Sequence, residues 1–288
     1  MVKLVIIDNG SKDNSLQTLN AFLLDKYADE FSLFMPGDEA PCTLPRVSLL
    51  STGNNLGYAC GNNKGMELIR KDESIDKVMI LNNDILFTEE IIPRMSSFLD
   101  NHQEAAIVSP LLLKRDGKSI DYNCARRNCK IHEILLLFSS VWNMGNNQLQ
   151  KARERRQILK TCPGLLEQDA VSIELPSGSC MLVDKEFFLS IGCFDEGTFL
   201  YYEENILYKK ILPTGKKNYI LPNLKCIHLG AETTSKEKVI KNYESPGLRS
   251  AYYYLTKYER LSVFQWLLAT FLYRAAMFRR RIGRLYKK

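Results

Sequence analysis

The feature that most constrains this chain is a unit of short apolar strand, polar loop and helix that occurs three times within residues 1–100. Residues 2–7 are an apolar run that ends in the turn-forming cluster Asp8-Asn9-Gly10-Ser11, after which Leu16, Leu19, Leu23, Leu24 and Tyr27 recur at helical spacing. Residues 47–50 lead through Thr52-Gly53-Asn54-Asn55 into a helix over 58–70. Residues 78–81 lead through Asn82-Asn83-Asp84 into a helix over 89–99, with Thr88 as its expected cap. Strands this short and apolar, alternating with helices, predict an α/β fold: a Rossmann-like, mostly parallel sheet covered on both faces. In such sheets ligands sit beyond the carboxyl ends of the strands, so the three polar loops are expected to line one crevice.

After Ser109 the alternation weakens. Residues 114–166 form a basic stretch, with Lys151, Arg153, Arg155, Arg156 and Lys160, that reads as an insertion on the acceptor side or as a plain solvated helix. Extended residues return over 171–183 around Ser177-Gly178-Ser179. A short helix near 186–191, strands around 219–221 and 225–228 and two C-terminal helices follow. The 288 residues suffice for one large domain or one domain with an appendage. The eight cysteines contain no CxxC pair and share no metal-ligand spacing with the three histidines, which argues against zinc and against a disulfide framework. Reduced, structural thiols suggest the cytosol, and the start of the chain reads as a strand and not as a signal peptide.

Charge is concentrated at one end. Arg274, Arg279, Arg280, Arg281, Arg284, Lys287 and Lys288 fall in the last fifteen residues without an acid, and the remainder of the chain is close to neutral. A neutral body argues against nucleic acid as the partner. Residues 261–273 are an uncharged run with Phe264, Trp266, Leu267, Leu268, Phe271 and Leu272, shorter than the roughly 20 residues a membrane span requires. An apolar run followed by arginines suits an interfacial helix at a membrane surface, or alternatively a helix docked on the core with a solvated basic end.

Four segments and one histidine carry candidate chemistry. Asp8, at a strand end, can accept hydrogen bonds from a base or ribose, or can simply close a turn. The stretch from Asn55 to Gly65 contains three glycines that let backbone approach a ligand, amides at a helix start that favour phosphate, and the amide of Asn63; helix packing explains the glycines equally well. Asp84 ends an apolar strand, where a carboxylate and diphosphate oxygens can share Mg or Mn. In Phe194 to Glu204, four acids lie among four aromatics, and a carboxylate in such surroundings can take a proton from an acceptor hydroxyl. His228, at a predicted strand end, could complete a metal or diphosphate site.

Taken in order, the segments 5–11, 55–65, 81–84 and 192–204 resemble family 2 of the inverting glycosyltransferases, particularly its rhamnosyltransferase-like branch, over residues 1 to about 235. The resemblance implies an A-type glycosyltransferase fold in residues 1–240, with a nucleotide-sugar-binding half (1–110) and an acceptor and catalytic half (111–240). Residues 241–288 would add C-terminal helices and a membrane-associating tail. It implies donor contacts along Asp8, Asn9, Ser11, Asn55, Gly57, Asn63 and Asn83, a divalent metal at Asp84 and His228, and a catalytic base in the pair Glu203-Glu204. The implied partners are a nucleotide-sugar donor and a glycan acceptor, possibly polyprenyl-linked, used in surface polysaccharide synthesis. The implied location is the cytoplasm, peripheral at the inner face of the plasma membrane. Two departures stand out. The usual first strand-helix unit is not seen before Val2, which would leave a sheet edge unpaired. The usual Glu-Asp-x-Asp-Leu reads Glu203-Glu204-Asn205-Ile206-Leu207, so an inactive or truncated relative is the alternative reading.

Overall fold

The computed structural model describes residues 2–142, 144–230 and 237–285, and for 237–245 and 283–285 the backbone alone. Lys287 and Lys288 and the side chain of Arg284 thus lie outside the described residues, as does the point near 235 where the family resemblance was expected to end, whereas residue 240, the expected end of the first domain, falls where the backbone alone is described. The first half runs β1 (Leu4–Asp8), α1 (Ser15–Tyr27), β2 (Phe31–Phe34), β3 (Val47–Ser51), α2 (Tyr58–Ile69), β4 (Lys77–Leu81), β5 (Ile85–Phe87), α3 (Ile91–Asn101) and β6 (Ala105–Leu113). The second half runs β7 (Ala125–Arg126), α4 (Ile131–Ser140), α5 (Asn146–Arg156), α6 (Ile158–Thr161), β8 (Val171–Ile173), β9 (Leu175–Pro176), β10 (Cys180–Asp184), α7 (Lys185–Ser190), α8 (Glu203–Ile211), β11 (Lys217–His228), α9 (Glu237–Tyr258) and α10 (Val263–Leu285).

The three expected units are present, each with its polar loop at the carboxyl end of its strand. Strands β1 and β2 flank β3 in a parallel three-stranded sheet, and all five β3 residues are buried, as a strand paired on both sides and covered on both faces requires. The second sheet has the order β4-β10-β6-β11-β5, with β8 also on β11. Strands β6 and β11 are parallel, and β10 runs antiparallel between β4 and β6. The two sheets end on β1 and β4, whose Val5, Ile7, Val78 and Ile80 pack into one hydrophobic cluster with Ala59 and Met66 of α2. Among the described residues β1 pairs with β3 and β4 with β10, so the two strands meet through side chains at this seam and not through a ladder.

Strand β6 was not expected, because Ser109 and Pro110 interrupt its apolar run. The structure accommodates the proline at a bulge: Leu221 of β11 pairs with Pro110 and the next pair is Lys225 with Leu111, leaving residues 222–224 outside the ladder. The same bulge turns the two expected strands around 219–221 and 225–228 into one. Thr88 does not cap α3. Its hydroxyl donates to the Lys225 carbonyl at 3.0 Å, β5 intervenes after Asp84, and the helix begins at Ile91 behind Glu90.

The basic stretch contributes α4 and α5. Phe138 and Ile134 of α4 share a core with Ile206 of α8, Leu248, Ala251, Tyr254 and Leu255 of α9, and Ala269 and Ala276 of α10. The C-terminal helices therefore form one layer with the insertion and with the helix that bears the acidic pair. All eight cysteines are free, five of them buried.

Candidate active site

Loops from both sheets are linked by a chain of hydrogen bonds. Asp8 closes the end of β1, where its carboxylate accepts from the Ser11 N–H at 3.3 Å. Gly10 lies so close to the next loop, with φ of 76°, that a Cβ there would sit 2.2 Å from the Asn54 carbonyl carbon. Asn9 bonds the two loops together: its amide donates to the Gly57 carbonyl at 2.9 Å and its oxygen accepts from the Leu56 N–H at 3.1 Å. Asn55 accepts from the Gly57 N–H at 3.0 Å. Gly57 adopts φ of 85°, and a Cβ would meet the Phe199 carbonyl oxygen at 2.3 Å, so only glycine lets segment 194–202 approach. Asp8, Asn9, Ser11, Asn55 and Gly57 are thus brought into one loop pair.

Asn63 does not join them. Both its amide hydrogens are engaged, by the Phe194 carbonyl at 3.0 Å and Glu196 at 2.9 Å, and its oxygen accepts from the Phe194 N–H at 3.1 Å. It is a buried clamp between α2 and the acidic segment, in place of the donor contact expected from the sequence.

At the end of β4, Asn83 is exposed and Asp84 faces His228: Asp84 Oδ2 lies 3.3 Å from His228 Nε2. The other oxygen, Asp84 Oδ1, is buried and has no hydrogen-bond partner. His228 Nδ1 is 3.3 Å from Asp121 Oδ2. The Asp121 hydrogen bond, with the charge of Asp84 adding to it and partial burial opposing, raises the His228 pKa above its usual value. Burial pushes Asp121 upward, but His228 and the Asn123 N–H together hold its carboxyl below the usual value. Sequence reasoning missed Asp121, which lies in the stretch read as an insertion and pairs with a residue 107 positions away. Among the described residues no group of three or more His, Cys, Asp or Glu side chains converges as a complete metal cage. A carboxylate with one buried oxygen unpartnered and the other beside an imidazole nitrogen is nevertheless a donor set that fits a hard cation completing its shell with phosphate oxygens.

The turn at 177–179 connects this side to the acidic pair. The Asn82 N–H donates to the Ser179 carbonyl at 2.9 Å, Tyr58 of α2 donates to the Gly178 carbonyl at 2.6 Å, and the Gly178 N–H donates to Glu204 Oε1 at 3.1 Å. Arg126 of β7 places Nη2 3.7 Å from the same Glu204 oxygen. Tyr58, Gly178 and Arg126 are further site residues; the Ser-Gly-Ser signal was visible in the sequence, but the pairing with Glu204 was not. Glu203 is only 5% exposed, and burial, reinforced by the charge of Glu204, pushes its carboxyl up to about 8. Glu203 therefore sits where burial favours its protonated form, whereas Glu204 is the more exposed of the two and meets Gly178 and Arg126. The turn that delivers them is strained, with Tyr201 and Tyr202 both at φ of 72°. The Tyr202 ring packs on Tyr254 of α9, with centroids 5.5 Å apart. Ile206, where the family pattern carries a second acid, is fully buried in the helical layer.

The α/β body with its strand-end loops has an A-type glycosyltransferase fold, as the comparison with solved structures shows. The structure of GalNAc-T7 with UDP, GalNAc and Mn2+ matches 92% of this chain and 47% of its own with a TM-score of 0.51 at 14% identity. The mannosyltransferase PcManGT from Pyrobaculum calidifontis, in complex with GDP-Man and Mn2+, matches 96% of this chain and 66% of its own with a TM-score of 0.51 at 12% identity. No protein-family model matches the chain. Its sequence relatives are glycosyltransferases, rhamnosyltransferases among them. The low-salt glycan biosynthesis hexosyltransferase Agl10 of Haloferax volcanii is 26% identical over 57% of this chain and 45% of its own, so this chain spans about half of that relative. The N-acetylglucosaminyl-diphospho-decaprenol L-rhamnosyltransferase of Mycobacterium tuberculosis is 24% identical over 82% and 69%, and the dTDP-rhamnosyl transferase RfbF of Shigella flexneri 24% over 78% and 58%.

Proposed function

We propose that this protein transfers a hexosyl or rhamnosyl residue from a nucleoside-diphosphate donor to a glycan acceptor with inversion, as a step in surface polysaccharide synthesis. The observation that carries this reading is the turn at 177–179, which ties the Asn82–Asp84 loop on one wall to Glu204 on the other. Asp8 and the loop pair 8–11 and 52–57 receive the nucleotide, with Ser11 and Asn83 exposed toward it. A divalent metal, Mg or Mn, would be held by Asp84 and His228 and would supply neutralising charge for the leaving diphosphate. Glu204, its Oε1 directed by Gly178 and Arg126, takes the proton from the acceptor hydroxyl through its other oxygen. The acceptor oxygen bonds to the anomeric carbon from the opposite side as the bond to the diphosphate oxygen breaks, which inverts that centre. Glu203, buried and neutral, stabilises the turn and does not take the proton.

The decaprenol-linked acceptor named for the mycobacterial relative supports a polyprenyl-linked acceptor here. Together with the basic C-terminal end, it supports a peripheral position at the inner face of the plasma membrane. The test is calorimetric binding of UDP and dTDP with and without Mn2+, together with transfer assays, on the wild type, Asp84→Ala and Glu204→Gln. Asp84→Ala should lose metal-dependent binding. Glu204→Gln should keep binding and lose transfer by a factor of about 100 or more. A folded wild type that binds neither nucleotide would sink the reading in favour of an inactive relative.

A further inference from the structure

Lipid contact needs a face, and α10 carries one. Its inner side, through Ala269, Leu272, Tyr273, Ala276 and Met277, packs on α4 and α9, the two alanines being fully buried so that the helix sits close to its neighbours. The outer side repeats every seven residues: Phe264 is 73% exposed, Leu267 55%, Phe271 69% and Phe278 63%, with exposed Arg274 and Arg281 at the intervening positions. This arrangement divides the run 261–273, which sequence alone presented as uniformly apolar, into a core-facing stripe and a solvent-facing stripe. At the far end, the Arg279 guanidinium lies 4.6 Å over the ring of Trp142, itself exposed at the end of α4.

We propose that this outer stripe of α10 is the surface that docks the protein on an anionic membrane, with the helix lying in the plane of the interface. Three observations select lipid over other occupants. No helix among the described residues is long and apolar enough to cross a bilayer, so a surface orientation is the one open to α10. The stripe pairs large aromatic and aliphatic groups with arginines whose stems can cover acyl chains while their heads reach phosphate. A second copy of α10 lacks complementary charge, because no acid follows Glu259 and Arg274 and Arg281 would meet only apolar groups or other arginines. The inference deepens the peripheral placement proposed above, but it is read without donor or acceptor, so its failure leaves the transferase reading intact and the converse also holds.

The measurement is flotation of the full chain with phosphatidylcholine vesicles, alone or containing about one-third phosphatidylglycerol. Wild type should float with the anionic vesicles and remain below with the neutral ones. The triple variant Phe264→Ser/Leu267→Ser/Phe271→Ser should bind anionic vesicles at least about tenfold more weakly with an unchanged near-UV circular dichroism spectrum. Arg274→Glu/Arg281→Glu, which leaves the apolar groups in place, should weaken binding by about the same factor. Wild type that stays below in both cases, or a triple variant that floats as well as wild type, overturns the proposal. A wild-type dimer that the triple variant converts to monomer, by light scattering, overturns it in favour of a second copy as the occupant.

Discussion

At the scale of the residue, Glu203 and Glu204 show how far environment separates adjacent identical side chains. Both begin α8, but one is buried with the Thr198 hydroxyl 3.5 Å away while the other meets a backbone N–H and a guanidinium. For Glu203 the folded pKa of about 8 lies above the usual 4.5. Its favourable contribution is therefore fully present below the usual value and is lost as pH rises through the folded one. Glu203→Gln keeps the size and removes the titration. Between pH 6 and pH 9 the melting temperature of the wild type should fall by several degrees more than that of Glu203→Gln, a difference of about 2–4 kcal/mol at the alkaline end. Parallel melting curves across that range would mean that Glu203 is ionised in the fold. The sequence placed both acids in an aromatic setting but could not rank them, because the ranking depends on Gly178 and Arg126, which other strands deliver.

At the scale of the element, the C-terminal helix α9 is fastened to the segment that delivers the base. Asp195 accepts from the Tyr253 hydroxyl at 2.7 Å, the Gly197 N–H at 2.8 Å, Lys257 at 2.9 Å and the Tyr258 hydroxyl. Burial opposes ionisation, but the hydrogen bonds from Tyr258, Lys257 and Tyr253 outweigh it and hold the Asp195 carboxyl well below the usual carboxylate range. The sequence offered Asp195 as one of four acids near the chemistry, whereas its four donors make it the fastening for α9. Asp195→Asn should cost about 2 kcal/mol of unfolding free energy at neutral pH, read from chemical denaturation. Because the folded pKa is depressed, that contribution is present above the usual value and lost as pH falls toward the folded one, so the two proteins should converge in acid. Strand-end loops were legible because polar residues follow short apolar runs. Strand β6 was hidden because Pro110 is tolerated only through a bulge in a partner strand more than one hundred residues later.

At the scale of the whole molecule, the expected division into an α/β body and a separate C-terminal appendage meets a shared core. Tyr254, Leu255 and Ala251 of α9 are fully buried against Phe138 of α4 and Ile206 of α8. Ile206 begins the account of why: an acid at that position would need water or a partner, and here the position faces the helical layer instead. The Tyr254 hydroxyl also accepts from the Asn128 amide at 2.7 Å, and Asn128 in turn accepts from Asn205 at 2.6 Å, so a polar chain joins the same elements. None of this was visible in the sequence, where the alternation of strand and helix fades after Ser109 and periodicity cannot say which apolar faces meet. Ending the chain at Gly230 would uncover Ile206 and Phe138 and leave Asn128 and the strained Tyr202 turn without α9. The shortened protein should lose its near-UV circular dichroism signal, bind a hydrophobic dye and unfold without a cooperative transition, even though the nucleotide-side loops are untouched in sequence. A shortened protein that melts cooperatively and retains nucleotide binding would instead make α9 and α10 a separable membrane module, and the Asp195 fastening dispensable to the body of the fold.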